Sequence, residues 1–344
     1  MFFMKNQTNS CIFARVWDRE RKKILIYMKC RLFFILVVAV TSLQACGSGS
    51  ESCVEGNLAV HEDFPSRYAE SRTLRVWTPE NYDPSVKYDV IYMHDGQNLF
   101  DSTITWNNQE WGVDEVLSHL LAEGEIRPCI VVGIDNTSLR YEEYYPSAIC
   151  DDVPEGVLPD DFRPLGDEYL RFVVEEVKPW VDSLYPTWGD PAHTFIMGSS
   201  CGGLISSYAL CRYPEVFGGA ACLSTHCSLM NPYVETDQKP AADAYLAYLE
   251  KNLPADPCHI LYMDRGDCPI DSAYAEPQAA INSMISGLDW AESNYMYRFF
   301  PGQSHSENDW RSRLDIPVRF LLGTDVSCDA GVFRCDDDLS VNVL

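Results

Sequence analysis

The sequence has few basic side chains. Of its 344 residues, 26 are Lys or Arg and 51 are Asp or Glu, which gives a formal net charge of −25. Eight of the basic residues lie within residues 1–46, and only four lysines follow: Lys87, Lys178, Lys239 and Lys251. Nucleic acids are bound by clustered Lys and Arg that neutralise phosphates. The composition therefore argues against a nucleic-acid partner and against a surface that binds anionic lipid headgroups.

Cysteine and histidine residues at the short spacings of metal-binding motifs are also missing. No Cys-x-x-Cys pair and no cluster of His and Cys has the spacing of a zinc site, so we expect no metal. The chain has 14 cysteines, 11 of them after Cys46, and an exported protein can oxidise such residues. Cys328 and Cys335 are the pair most readily bridged, while the connectivity of the others does not follow from sequence.

The apolar run near the N-terminus is too short to span a bilayer comfortably, which takes about 20 residues. Residues 32–40 follow Lys29 and Arg31 and are all apolar. A basic start, a short apolar run and a small-residue cleavage site are typical of a secretory signal. The four residues that end at Cys46, Leu-Gln-Ala-Cys, resemble the lipobox of bacterial lipoproteins. This resemblance implies lipidation of Cys46.

These features predict an exported protein, periplasmic or at the cell surface, whose only membrane contact is an N-terminal lipid anchor. Residues 1–46 comprise an N-terminal extension and the lipoprotein-type signal peptide. Met28 is a better start of translation than Met1, so residues 1–27 are interpreted as an over-extended gene prediction. Residues 47–53 are rich in Gly and Ser and are expected to form a flexible tether.

From residue 73 onward, short apolar segments alternate with segments of helical periodicity. The predicted strands cover residues 74–78, 88–93, 129–134, 194–197, 220–224, 259–263 and 295–300. The predicted helices cover residues 112–122, 167–184, 204–212, 274–288 and 307–322. This alternation predicts an α/β fold with a mainly parallel sheet. We expect one catalytic domain over residues 54–325, a long loop over 136–165, and an acidic C-terminal tail over 326–344.

Residues 198–202, Gly-Ser-Ser-Cys-Gly, fit the pattern Gly-x-Ser-x-Gly. The compact apolar strand predicted before them and the helix predicted after them supply the strand–turn–helix setting of a nucleophilic serine. Ser200 lies between the two glycines, which makes Ser199 the weaker alternative. The helix N-terminus favours developing negative charge, so the backbone N–H of Cys201 is a predicted oxyanion donor.

A serine hydroxyl needs a base to remove its proton, and in this setting the acid and then the histidine follow the serine along the chain. His305 lies in a loop between the last predicted strand and the last helix, where such a base is expected. His226 follows another strand and is predicted to contribute to the substrate pocket. The acid belongs in or near the loop after residues 259–263, which leaves Asp264, Asp267 and Asp271 as candidates.

A second oxyanion donor is expected after the strand at residues 88–93. This strand leads into His-Asp-Gly-Gln-Asn-Leu-Phe at residues 94–100, where Gly96 lets the chain turn. The next backbone N–H, that of Gln97, is the predicted donor. The alternative is a β-turn built on Asp95 and Gly96 without a catalytic role.

Together these motifs resemble an esterase family of α/β-hydrolases that includes enterochelin esterases, esterase D-type enzymes, feruloyl esterases and mycolyltransferases. The resemblance rests on residues 94–100, 197–203 and 305–311, although similar sequences usually have Met in place of Cys201. It implies an α/β-hydrolase fold with helices on both faces of the sheet, and ester hydrolysis without metal or organic cofactor. Relatives with Gly-x-x-x-x-Asp-x-x-Tyr align on Gly266, Asp271 and Tyr274, which implies Asp271 as the acid. Other relatives carry it closer to the glycine, which keeps Asp267 open.

The expected substrate is a small-molecule, siderophore or polysaccharide-linked ester, and the sequence does not choose among these. A set of aromatic side chains either lines a substrate cleft or packs in the core: Trp106, Trp111, Tyr141, Tyr144 and Tyr145. Of these, Trp106 and Tyr144 are predicted to contact substrate. Two alternative functions use the same residues. One is an acyltransferase with the same triad, and the other is a catalytically inactive, lipid-anchored ligand-binding protein.

Overall fold

The computed structural model describes residues 54–155, 157–158, 161–227, 239–254, 258–288, 290, 293–324, 326–327 and 332–333. The predictions for the signal peptide, for Cys46, for the tether and for the Cys328–Cys335 pair lie outside these residues. No helix in the described ranges is long and apolar enough to cross a membrane.

An eight-stranded sheet forms the centre of the fold, in the order β1-β2-β4-β3-β5-β6-β7-β8. β1 and β4 both pair antiparallel with β2, and every other neighbouring pair is parallel. The strands are β1 (Asn57–Phe64), β2 (Arg72–Thr78), β3 (Asp89–His94), β4 (Cys129–Ile134), β5 (Thr194–Ser199), β6 (Gly219–Leu223), β7 (Ile260–Arg265) and β8 (Tyr295–Phe299). A separate two-stranded antiparallel pair joins β9 (Val326–Ser327) and β10 (Val332–Phe333).

Nine α-helices connect or flank these strands in the described residues, and five short 3-10 or π segments accompany them. The helices are α1 (Val113–Ala122), α2 (Arg140–Glu143), α3 (Gly166–Phe172), α4 (Lys178–Leu184), α5 (Cys201–Arg212), α6 (Lys239–Asn252), α7 (Ala275–Ser286), α8 (Glu307–Arg311) and α9 (Asp315–Leu322). A π segment, Val173–Val177, joins α3 to α4 just before Pro179. Proline has no N–H to donate to the preceding turn, which accounts for the wider winding there.

Apolar side chains cover both faces of the sheet. In β3, Val90 and Tyr92 belong to one core cluster, whereas Ile91 and Met93 belong to the other. Helices α3 and α5 pack in the first cluster, and α1 and α9 pack in the second. Strands β3 to β6 are buried along their whole length, as expected for parallel strands with helices on both sides. The prediction of an α/β-hydrolase fold is confirmed.

Seven of the eight central strands lie where the sequence predicts them. β1 is not predicted because it is an edge strand with exposed or half-buried side chains, and its apolar run is limited to residues 58–60. The predicted helix over 307–322 is divided into α8 and α9, and α6 was not predicted. Residues 136–165, predicted as a loop, contain the single turn α2 and a 3-10 segment, Ser147–Asp152.

Candidate active site

The chain makes a tight turn at Ser200, directly between β5 and α5. Ser200 has φ 57° and ψ −122°, a conformation that L-residues rarely adopt. Its N–H donates to the Leu223 carbonyl at 2.9 Å, and its carbonyl accepts from the His226 N–H at 3.0 Å. These two bonds tie the turn to the end of β6, so the strained backbone is held from both sides.

Two glycines permit this turn. A Cβ atom on Gly198 would lie 2.9 Å from the carbonyl carbon of Gly202, and one on Gly202 would lie 3.2 Å from the Cβ of His94. The first helical turn of α5 therefore passes against both β5 and the end of β3, with no room for larger side chains. This close approach is the physical reason for the glycine spacing predicted from the motif.

Ser200 and His305 line the same cleft, which has a volume of about 710 Å³. His305 follows β8, and its Nδ1 lies 2.6 Å from Oδ1 of Asp271. The ring packs edge-on against Trp310, with centroids 5.0 Å apart. Because Nδ1 is engaged with Asp271, Nε2 is the ring nitrogen that remains for chemistry in the cleft.

Asp271 is fully buried and its carboxylate is held on both oxygens. Oδ2 accepts from Ser224 Oγ at 2.5 Å and from the Gly266 N–H at 2.7 Å. Burial raises the pKa of Asp271, but the hydrogen bonds from His305, Ser224 and Gly266 lower it by more, so the pKa lies below its usual value. The group is therefore ionised and able to orient His305.

Ser224 connects this carboxylate to a buried ion pair. Its hydroxyl accepts from Trp310 Nε1 at 3.0 Å and from Arg313 at 2.9 Å while donating to Asp271, which uses its full hydrogen-bonding capacity. Arg313 also pairs with Asp264 at 3.0 Å, and both side chains are almost fully buried. Asp264 thus fixes the support beneath Asp271, and it is connected to His305 only through Ser224 and Asp271.

Asp267 orders the loop that carries the histidine. Its Oδ1 accepts from the Gly302 N–H at 2.7 Å, and its own N–H donates to the Gln303 carbonyl at 3.1 Å. Of the three carboxylates that the sequence left open, Asp271 is the one that hydrogen-bonds His305.

The predicted oxyanion donors lie on two adjacent turns. Gln97 lines the cleft within a 3-10 turn, Gly96–Asn98, and Cys201 is the first residue of α5. Among the hydrogen bonds of the described residues, none uses the backbone N–H of Gln97 or of Cys201. Both groups are therefore available to an oxygen atom in the cleft.

A buried polar cluster holds the Gln97 turn in place. Asp95, at φ 57°, accepts two bonds from Arg140 at 2.7 and 2.8 Å and one from Asn136 at 2.6 Å. Burial lowers the pKa of the neighbouring His94 to about 3, so this ring is neutral, and its Nδ1 lies 2.8 Å from the Tyr169 hydroxyl. The sequence did not predict Arg140 or Asn136, although both belong to the long loop predicted over residues 136–165.

The structure separates the other predicted substrate residues. Trp106 lines the cleft and is 82% exposed, and Trp111 lines it while packing on Trp310. Tyr144 does not line the cleft; it is fully buried against His94, so its prediction as a substrate contact is wrong. Tyr144 directly follows α2, and its ring packs in the core because burying its apolar area is favourable.

His226 also lies behind the cleft wall. Its side chain is buried, and its Nδ1 lies 2.9 Å from the Tyr274 hydroxyl. Its contribution is the backbone bond to Ser200, which corrects the prediction of a substrate contact. Tyr145 is buried as well, and Tyr141 is exposed near His226 but outside the cleft lining. In the described part of the chain, no group of three or more His, Cys, Asp or Glu could hold a metal ion.

A serine in a strained strand–helix turn and a histidine paired with a buried carboxylate, placed on this sheet order, define the α/β-hydrolase class. The model of the "Putative esterase" family matches residues 66–321. The chain belongs to this esterase family.

Known proteins resemble the chain at low identity. A Bacillus subtilis (strain 168) protein described as uncharacterized protein YjcH is 25% identical over 183 residues, which are 52% of this chain and 63% of that protein. The chain thus spans less than two thirds of this relative's length. Among solved structures, an IroE-like serine hydrolase from Shewanella oneidensis has a TM-score of 0.57 at 20% identity, over 76% of this chain and 79% of that one. The enterobactin esterase FES from Shigella flexneri has a TM-score of 0.55 at 18% identity, over 81% and 63%.

The strain at Ser200 gives a direct stability test. A strained φ costs about 1–3 kcal/mol, and glycine relieves it at an entropic cost of about 0.5–1 kcal/mol. We expect Ser200→Gly to have a free energy of unfolding about 1 kcal/mol higher than Ser200→Ala, measured by denaturant titration. At Ser199, which lies in β5, the glycine variant should instead be the less stable of the pair. A Ser200→Gly protein no more stable than Ser200→Ala would contradict the argument.

Proposed function

We propose that the protein is a serine carboxylic-ester hydrolase that acts through an acyl-enzyme. The observation that carries the proposal is that Ser200, in its strained turn, shares one cleft with His305, whose Nδ1 is held by the buried Asp271. Membership of the esterase family supports the same reaction class.

In the proposed first step, Ser200 Oγ attacks the ester carbonyl while His305 Nε2 takes its proton. Asp271 keeps the Nδ1 proton in place and stabilises the imidazolium that forms. The backbone N–H groups of Gln97 and Cys201 donate to the oxyanion. His305 then protonates the leaving alcohol, and the acyl group stays on Ser200.

In the second step, a water molecule gives a proton to His305 and attacks the acyl-enzyme. The tetrahedral intermediate uses the same two N–H donors. Its collapse breaks the bond to Ser200 Oγ, which takes back the proton from His305, and releases the acid. The substrate is a small-molecule, siderophore or polysaccharide-linked ester. Transfer to an alcohol in place of water is the alternative outcome, detected as a new ester when acceptor alcohols are added.

The nucleophile is tested with a fluorophosphonate probe and a p-nitrophenyl ester. We expect the probe to label Ser200, and Ser200→Ala to abolish labelling and lower kcat/KM by at least about 10³-fold. Ser199→Ala is the matched control, and it should still be labelled at Ser200. If the folded protein is not labelled, the inactive ligand-binding alternative is favoured. If Ser200→Ala retains wild-type turnover, the assignment of Ser200 as the nucleophile is wrong.

The acid is tested by comparing Asp271→Asn with Asp267→Asn. An amide at position 271 no longer selects the Nδ1–H tautomer of His305, so kcat should fall by about 10³- to 10⁴-fold with little change in KM. An amide at position 267 weakens contacts within the loops, to Gly302 and to Cys268, and none to His305, so the fall in kcat should be below about tenfold. Equal losses in the two variants, at equal stability, would contradict the assignment of Asp271.

The proposal extends to the location of the protein, which rests on residues 29–46 of the sequence alone. Cys46 is the lipidated residue that anchors the exported chain to a bacterial membrane. In cells grown with labelled palmitate, we expect the full chain to incorporate label and to fractionate with membranes. Cys46→Ala should lose both properties and the control Cys53→Ala should keep them. Label that persists in Cys46→Ala would contradict the proposal.

A further inference from the structure

Four polar residues form a continuous part of the cleft lining, here called the acceptor wall: Asn98, Asn107, Gln109 and Glu307. Glu307, two residues after the histidine, accepts from Asn107 Nδ2 at 2.7 Å and from Asn98 Nδ2 at 3.4 Å. Asn107 Oδ1 in turn accepts from the Gln109 N–H at 3.0 Å. The wall is therefore an ordered set of side chains within the cleft that contains Ser200.

The atoms of this wall that lack a partner are hydrogen-bond acceptors. Asn98 Oδ1 and Gln109 Oε1 are buried and accept no hydrogen bond from the described residues. The orientation of Asn98 is fixed because a carboxylate only accepts, so its amide nitrogen must face Glu307. Asn98 is 7% exposed, and leaving such a carbonyl without a donor costs free energy. A ligand with donors would satisfy it.

Glu307 also brings a negative charge that no cation in the described residues balances. The other carboxylate of the cleft lining, that of Asp95, pairs with Arg140. Arg311, on the same helix as Glu307, pairs with Glu110 at 2.9 Å and with Glu115 at 2.9 Å. No ion pair of the described residues includes Glu307. The wall therefore repels anions and attracts cations.

Indole rings lie beside the acceptors. Trp111 and Trp310 are almost fully buried in the cleft lining, whereas Trp106 is 82% exposed there. The face of an exposed indole attracts an ammonium group and also packs well against aliphatic C–H groups. An anionic end group gains nothing from such a face.

We infer that the acceptor wall is a subsite that selects an ester whose acyl or alcohol portion presents hydrogen-bond donors and carries no negative charge. The inference rests on the proposed hydrolase function and narrows its substrate class. A terminal ammonium and a vicinal diol are the two sources of such donors. The ammonium is preferred because its bond to Glu307 is assisted by charge.

The test uses ethyl esters that share one alkyl chain and differ only in the end group: 6-aminohexanoate, 6,7-dihydroxyheptanoate, heptanoate and the monoethyl ester of heptanedioic acid. Acetates of alcohols with the same four end groups place the variable group on the other side of the ester. Hydrolysis is followed by acid release at constant pH. The readout is the kcat/KM of each ester divided by that of its methyl-ended partner, which cancels any general loss of activity.

In at least one series, the wild-type protein should prefer the ammonium ester to the methyl-ended ester by about tenfold and should disfavour the carboxylate ester. Glu307→Gln should bring the ammonium ratio close to one and raise the carboxylate ratio. Glu110→Gln removes the same charge at the residue after Gln109, outside the cleft lining, and it should leave both ratios at wild-type values. If the diol ester has the highest ratio in the wild-type protein and this ratio falls in Glu307→Gln, the subsite is supported, with hydroxyl groups as the source of the donors.

A wild-type protein that hydrolyses these esters without discrimination, or that prefers the carboxylate in both series, overturns the inference and leaves the hydrolase intact. Ratios unchanged in a folded Glu307→Gln also overturn it. If Glu307→Gln does not fold, the wild-type ratios alone decide. Absence of turnover for every ester, together with absence of fluorophosphonate labelling, contradicts the proposed function itself.

Discussion

The path of the backbone through Ser200 requires α5 to begin directly against the end of β5. With φ at 57°, the chain reverses within one residue, and the Gly198–Gly202 approach leaves no space for another side chain. The turn also depends on β6, because Leu223 and His226 bond to the backbone of Ser200. Parallel strands end at one edge of the sheet, so the loops after β3, β7 and β8 meet at the same place. This geometry determines where the cleft, His305 and Asp271 lie.

The second constraint is the buried polar support under Asp271. Removing Asp264 and Arg313 from water is costly, and their mutual attraction offsets this only with good geometry and further hydrogen bonds. Ser224 supplies one of them, and its own φ of 42° shows that the backbone is held in an uncommon conformation to do so. A structural core of apolar residues would not need this arrangement. The buried polar support is explained by the need to keep the Asp271 carboxylate ionised beside His305.

Much of the fold could be predicted from the sequence because its parallel strands are buried on both faces and form apolar runs. β1 could not be predicted, since this exposed edge strand has an apolar run of only three residues, 58–60. The Gly-x-Ser-x-Gly spacing indicated Ser200, because the two glycines allow the close backbone approach that this turn requires. Asp271 could be preferred to Asp267 only through a family pattern. Choosing between them physically needs the loop conformation that brings one carboxylate to His305.

Side chains of the cleft were harder to predict. Aromatic type alone does not distinguish Trp106, on the cleft, from Tyr144, in the core, because both bury apolar area wherever the fold allows. Arg140 and Glu307 gave no local signal, since each acts through residues distant in sequence, namely Asp95 and Asn98.

The measurement that tests the central claim most directly is a crystal structure of the protein after reaction with a fluorophosphonate. The account predicts phosphorus bonded to Ser200 Oγ, with one phosphonyl oxygen accepting from the N–H groups of both Gln97 and Cys201. A phosphonyl group on another residue, or one whose oxygens contact neither N–H group, would contradict it.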